Sequence, residues 1–241
     1  MPKYTELSWE PTERWVRGTK GDVTVVDSTH AVLVRDPDRY TPLYAFPKDE
    51  VRADLLRPAA DPPPGAHAFY DLVVGDVVVP NAAWTYAEDE LADYVAFEWF
   101  RRDDVLDHWY EEDEEVFTTA RDPLHRVDAI RSTRHVRVTI DGRVVAESSR
   151  PVLVFETGIP ARYYLPPEDV RLDLFSRTGS RTGCPYKGFA SYWTYIGGDE
   201  PRVDVAWAYL DPTPEAVAIK GYLSFYDTVA EHTVTLNRPA R

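Results

Sequence analysis

His135-Val136-Arg137-Val138-Thr139-Ile140-Asp141-Gly142-Arg143-Val144-Val145-Ala146 is the stretch whose reading decides the fold. Val136, Val138 and Ile140 alternate with Arg137 and Thr139, the two-residue period of a strand that buries one face. Asp141-Gly142 interrupts the alternation before Val144-Val145 resumes it. Asp-Gly between two such runs suits a two-residue hairpin turn, because both of its central positions need positive φ. An antiparallel hairpin is predicted here.

Moving outward, the same pattern occurs twice. Trp15-Val16-Arg17 lies over His135-Val136-Arg137 and Val32-Leu33-Val34 over Val152-Leu153-Val154, both at an offset of 120. Tyr44-Ala45-Phe46-Pro47 matches Tyr163-Tyr164-Leu165-Pro166 at 119, and Ala83-Trp84-Thr85-Tyr86 matches Ala206-Trp207-Ala208-Tyr209 at 123. Offsets that drift slowly while keeping their order indicate a duplicated domain. Residues 1–100 are read as a first, degenerate copy, 101–131 as a connector, and 132–241 as a second copy.

Near the end of the second copy the period changes. Ile219, Tyr222, Leu223 and Tyr226 fall at helical spacing, with Thr213 as a candidate N-cap and Pro214 at the first helical position. Leu91, Tyr94 and Val95 repeat this in the first copy. Val170, Leu172 and Leu174 read as a strand, with Arg171 and Asp173 on its other face. The expected fold class is mainly β: two tandem copies of a small antiparallel β-sandwich or barrel-like domain, each with one short helix.

Composition narrows the function. A net charge of −14 over 241 residues argues against a binder of nucleic acid or anionic membrane surfaces. No apolar run approaches the roughly 18–20 residues of a membrane span, and Met-Pro-Lys-Tyr-Thr-Glu has no signal-peptide pattern. A cytoplasmic protein is expected. The single Cys184 excludes an internal disulfide and any multi-thiolate zinc centre, and the six histidines lack metal-ligand spacing, so no metal site is assigned. Cofactor and oligomeric state are left open.

The second copy resembles the domain-of-unknown-function family 427. The resemblance is carried by Val152-Leu153-Val154-Phe155-Glu156-Thr157-Gly158, Arg162-Tyr163-Tyr164-Leu165-Pro166 and Asp169-Val170-Arg171-Leu172-Asp173. Its most specific run is Arg181-Thr182-Gly183-Cys184-Pro185-Tyr186-Lys187-Gly188, followed by Ala190-Ser191-Tyr192-Trp193. The whole chain looks like a tandem member, which implies compact, mainly β domains and no established reaction. The family is sometimes carried under a nucleotidyltransferase label. Gly179-Ser180 precedes no Asp-x-Asp here, and nucleotidyl transfer needs closely spaced aspartates to hold Mg²⁺ against phosphates, so that label is set aside.

The 181–188 motif brings a guanidinium, a thiol, a phenol and an ammonium within eight residues. Cys184 and Lys187 are the candidate catalytic pair, since a nearby cation raises the thiolate fraction of a cysteine. Arg181, Tyr186, Tyr192, Trp193 and Tyr163 are the candidate ligand-binding residues, with the aromatics walling a pocket. The alternative for Cys184 is a small buried hydrophobe. At offset 122 the first copy places Pro62 opposite Cys184 and Gly65 opposite Lys187, so any chemistry is expected in the second copy alone. Arg52-Asp54 and Arg171-Asp173 occur in both copies and read as structural pairs.

Two functions follow. One is a small-molecule-binding protein, with or without enzymatic activity, whose pocket lies at the 181–193 loop. The other is a non-catalytic interaction module working through residues 98–117, where the segment 98–115 carries nine acids against two arginines around Trp109 and Tyr110. His125, beside Arg121, Asp122, Arg126 and Asp128, reads as part of an interdomain polar network.

Overall fold

Asp141 and Gly142 adopt φ of +50° and +73°, both in the left-handed region, and the predicted hairpin forms around them. The computed structural model describes residues 4–64, 67–99 and 104–236. It divides into two units, Met1–Asp122 and Pro123–Arg241, each mainly β.

Strands of the first unit are β1 (Ser8–Pro11), β2 (Val16–Lys20), β3 (Val23–Ser28), β4 (Val32–Arg35), β5 (Leu43–Pro47) and β6 (Leu56–Pro58). They continue with β7 (Ala68–Val74), β8 (Val77–Thr85), β9 (Tyr94–Phe97), β10 (His108–Glu111) and β11 (Glu114–Glu115). One sheet runs β1-β4-β5-β9-β8-β7-β6 and a second β11-β10-β2-β3.

The second unit repeats this order with β12 (Val127–Arg131), β13 (His135–Ile140), β14 (Arg143–Ser148), β15 (Val152–Glu156) and β16 (Arg162–Tyr164). It ends with β17 (Phe175–Cys184), β18 (Gly188–Tyr195), β19 (Arg202–Pro212), β20 (Ser224–Phe225) and β21 (Glu231–Thr235). Its sheets are β12-β15-β16, β14-β13-β21 and β17-β18-β19-β20. The repeat is visible strand by strand: β1 pairs with β4 as β12 pairs with β15, and β10 pairs with β2 as β21 pairs with β13.

That last equivalence corrects the connector. Val105, Leu106 and Trp109 are buried in a core of the first unit, where the Trp109 ring stacks on Trp99 at 4.4 Å and on Phe46 at 5.9 Å. Residues 108–111 are thus the closing strand of the first copy, while 127–131 begin the second; residues 101–103 lie outside the described residues. Trp109 is drawn in because its apolar area outweighs the preference of the flanking acids for water.

The short helix expected in each copy is a 3₁₀ turn, as are the other helical turns among the described residues. Pro214–Ile219 is one, and Asp89–Leu91 is its counterpart in the first unit. Gly221, at φ +73°, ends the first, and Leu223 exchanges backbone hydrogen bonds with Leu165. Ile219 and Leu223 enter different core clusters, so the helical spacing marks no single face. So short a segment has little helical stability of its own, and pairing with the sheet wins. Thr213 stands at the N-cap position without a side-chain cap bond; its hydroxyl donates instead to the Tyr186 carbonyl at 2.7 Å.

Leu172–Leu174 likewise forms a 3₁₀ turn, as Ala53–Leu55 does, in place of the predicted strand. Arg171 and Arg52 fork onto Asp173 and Asp54 two residues on, at 2.7–3.0 Å, so both pairs are local clasps at the surface.

Core packing of the second unit positions the site. Val205 to Tyr209 on β19 are all buried, because β18–β19 has a core on each face. Ala206 and Ala208 join a cluster with Val136, Val138 and Ile140, whereas Trp207 and Tyr209 join Val152, Val154 and Tyr164. A run without alternation is the expected mark of a strand covered on both sides.

Candidate functional site

Cys184 and Gly188 face each other across the β17–β18 hairpin, so only Pro185, Tyr186 and Lys187 form the turn. The predicted eight-residue loop is thereby reduced to three, and Arg181, Thr182 and Gly183 belong to the strand. Gly188 sits at φ +92°, and a Cβ there would meet the Asp211 carbonyl at 3.1 Å. A glycine is needed to close this turn against the end of β19.

That turn directs Lys187 inward. Its side chain is 8% exposed and its ammonium binds Glu156 Oε2 at the end of β15. Glu156 is 11% exposed and takes His125 Nε2 on its other oxygen, at 3.1 Å. The His125 side chain is 9% exposed, its ring lies 4.3 Å from the Tyr186 ring, and its Nδ1 is buried without a hydrogen-bond partner. Lys187, Glu156 and His125 therefore form a continuous ionisable row at one end of the core that holds Tyr164, Tyr192, Trp207 and Tyr209.

Cys184 packs partly buried against the same core. Burial pushes the phenols of Tyr164 and Tyr209 well above the ordinary tyrosine range, and the nearby charges of Glu156 and Cys184 add to the effect. The hydroxyls are tied together: Trp207 Nε1 donates to Tyr164 at 2.9 Å, and Thr182 bonds Tyr192 at 2.7 Å. Tyr226, 4.4 Å from Trp207 ring to ring, is pushed up to about 12, first by burial and then by Tyr192.

The structure brings Cys184, Lys187, Tyr186 and Tyr192 to this end of the unit but leaves three predicted residues elsewhere. Tyr163 and Trp193 pack against the other core cluster, because adjacent residues of a strand point to opposite faces. Tyr163 follows from this opposite to Tyr164, and Trp193 opposite to Tyr192. Arg181 is exposed, its guanidinium 3.9 Å over the Phe189 ring, and does not join the row. Ser180 donates to Asp204 at 2.6 Å.

Sequence reading missed Glu156 and did not place His125 in the site. A signal for Glu156 was present: it lies over Asp36 at the offset of 120, so an acid closes β15 and directly follows β4. Of the residues beside His125, Asp122 accepts from Arg35 and Tyr4, and Arg126 donates to Asp128. In the first unit Asp36 faces Arg39 at 3.8 Å and accepts from the Tyr86 hydroxyl at 3.3 Å, and Arg39 also reaches Glu98 at 2.8 Å. Arg39 lies 4.2 Å over the Trp84 ring. Gly65, the counterpart assigned to Lys187, lies outside the described residues.

Many acids of the 98–115 segment are already occupied. Asp107 bonds Lys20 and the Gly21 amide, both at 2.7 Å, and Glu111 bonds Arg14 and Tyr44, both at 2.8 Å. Glu112 accepts from the Trp15 amide at 2.9 Å, and Glu115 meets His108 at 2.6 Å. Among the described residues, no helix is long and apolar enough to cross a membrane.

A family model described as a domain of unknown function, DUF427, matches residues 8–112 and again residues 128–235. No curated protein matches the chain.

Proposed function

The chain belongs to the DUF427 domain family, with one copy in each half, and from that premise we propose a small-molecule-binding protein whose ligand site lies in the second copy. The site comprises Lys187, Glu156 and His125, with Cys184 and Tyr209 beside them. The observation that carries this reading is the row of three ionisable side chains, each about nine-tenths buried, at the mouth of a three-residue turn.

Burying charge costs several kcal/mol per ion even when it is paired. A domain of this fold does not need that particular set. At the same place the first copy uses Asp36 and Arg39, and an arginine keeps its proton under all ordinary conditions. Imidazole and thiol can give and take a proton, so the second copy has acid–base groups where the first has an ion pair. Lys187 and Cys184 would serve catalysis if the bound molecule is also a substrate.

The interaction-module reading draws less support, since the acids it needs are engaged by Lys20, Arg14 and His108. We also propose a cytoplasmic protein with no nucleic-acid or membrane partner, in keeping with its charge of −14.

A thermal-shift screen of the full chain against a metabolite library tests the proposal. A ligand at 100 times its Kd stabilises the native state by about 2.7 kcal/mol. True ligands should lose this shift in Tyr209→Phe or Cys184→Val proteins that remain folded. If no compound stabilises the chain, or every hit acts equally on those variants, the site is elsewhere.

A further inference from the structure

One buried atom of the proposed site has nothing to bond. His125 Nε2 lies 3.1 Å from Glu156 Oε1, while Nδ1 is buried with no hydrogen-bond partner. Buried polar atoms are rarely left so, and each exception calls for an explanation.

The protonation state follows from the neighbours. Glu156 already has the Lys187 ammonium on its second oxygen. The pair is neutral as it stands, and a protonated His125 would place a second cation among side chains about nine-tenths buried. It would also leave a buried N–H without an acceptor. The neutral ring avoids both costs: Nε2–H donates to the carboxylate, which leaves the lone pair on Nδ1.

We propose that His125 Nδ1 is the acceptor for the ligand of this site, and that the ligand class is a small, neutral, planar molecule donating an N–H or O–H. This rests on the reading above and specifies it. A neutral molecule is required because the row is charge-balanced, and an uncompensated charge would be buried with it. Planarity suits a region already walled by the Tyr186 ring at 4.3 Å from the imidazole. Lys187 has three N–H groups, which makes it the matching donor to a carbonyl or ring nitrogen on the same molecule. Arg181, which would have drawn an anion, lies over Phe189 instead.

The test compares 2-pyridone with 1-methyl-2-pyridone, which share a ring and a carbonyl but differ in the N–H. Both are titrated into full-length protein carrying ¹⁵N-histidine. The His125 signals are identified by their loss in His125→Phe. The expected result is that 2-pyridone moves the Nδ1 resonance to a hydrogen-bonded position and binds roughly tenfold tighter than its methylated form, the worth of one buried hydrogen bond. If His125→Phe fails to fold, the pair of probes on the wild-type chain decides the matter alone.

Equal binding of the two probes overturns the proposal while leaving a ligand site in place. An Nδ1 resonance that is already hydrogen-bonded in the free protein, and unmoved by either probe, overturns it in favour of a trapped water. If neither probe binds while library compounds still depend on Tyr209, the donor class is wrong. If no compound of any kind binds, the site itself falls.

Discussion

Glu156 holds a cation on one oxygen and an imidazole on the other, and removing the cation leaves charge uncompensated in a dry place. Lys187→Met should therefore destabilise the protein by about 3–5 kcal/mol. Lys187→Met combined with Glu156→Leu should recover most of that loss, because an apolar pair of similar volume buries no charge. Urea denaturation of the two variants checks this, and additive losses would show that the groups are not coupled. His232 carries a second prediction. Burial lowers its pKa from the ordinary histidine value, with Asp227 at 3.2 Å opposing the shift. The unfolded chain then takes up a proton at a pH where the folded one does not. Its contribution is intact above the unfolded pKa of about 6.5 and is lost as pH falls through the lower folded value. Melting temperature should drop more steeply between pH 7 and 5 in the wild type than in His232→Gln; parallel curves would exclude this histidine as the cause.

Among the elements, the β13–β14 and β17–β18 hairpins depend on glycine for different reasons. Gly142 needs positive φ in open space, so Gly142→Ala should cost about 1 kcal/mol and no more. Gly188 needs positive φ and also lies against the Asp211 carbonyl, so Gly188→Ala should cost more than Gly142→Ala and should shift the Lys187 turn. Thermal melts rank the two, and equal losses would deny the close approach. Element by element, a period of two was legible where a turn fixed the pairing, and was misread at Val170, Leu172 and Leu174, where a 3₁₀ turn stands. The β13–β14 hairpin formed as read because its register follows from a turn that only positive φ can make. Of the helix expected from the Thr213 cap to Tyr226, only the 3₁₀ turn Pro214–Ile219 formed, because Leu223 found a backbone partner in Leu165 that no local spacing reveals. Half of the candidate site was legible for the same reason. Cys184, Tyr186 and Lys187 are joined by a turn, whereas Tyr163 and Trp193 were lost to the alternation of their strands.

On the scale of the whole molecule, each unit owns its own pair of core clusters. Each is thus built to unfold as a cooperative body. Calorimetry on the intact chain should resolve two transitions, and Lys187→Met should lower only one of them. A single transition that shifts as a whole would contradict this. The duplication itself needed no coordinates: matching residues kept their order at offsets of 119 to 123, and a repeated pattern of strands requires a repeated fold. Net charge and strand content were determined in the same way, since composition and periodicity are properties of the chain alone. The tertiary structure decided which residues meet. Glu156 and His125 stand 31 positions apart, and so do Glu156 and Lys187. What joins them is the packing of β15 beside a hairpin turn, a contact whose energy comes from excluding water at long range and which therefore leaves no trace in the local order of residues.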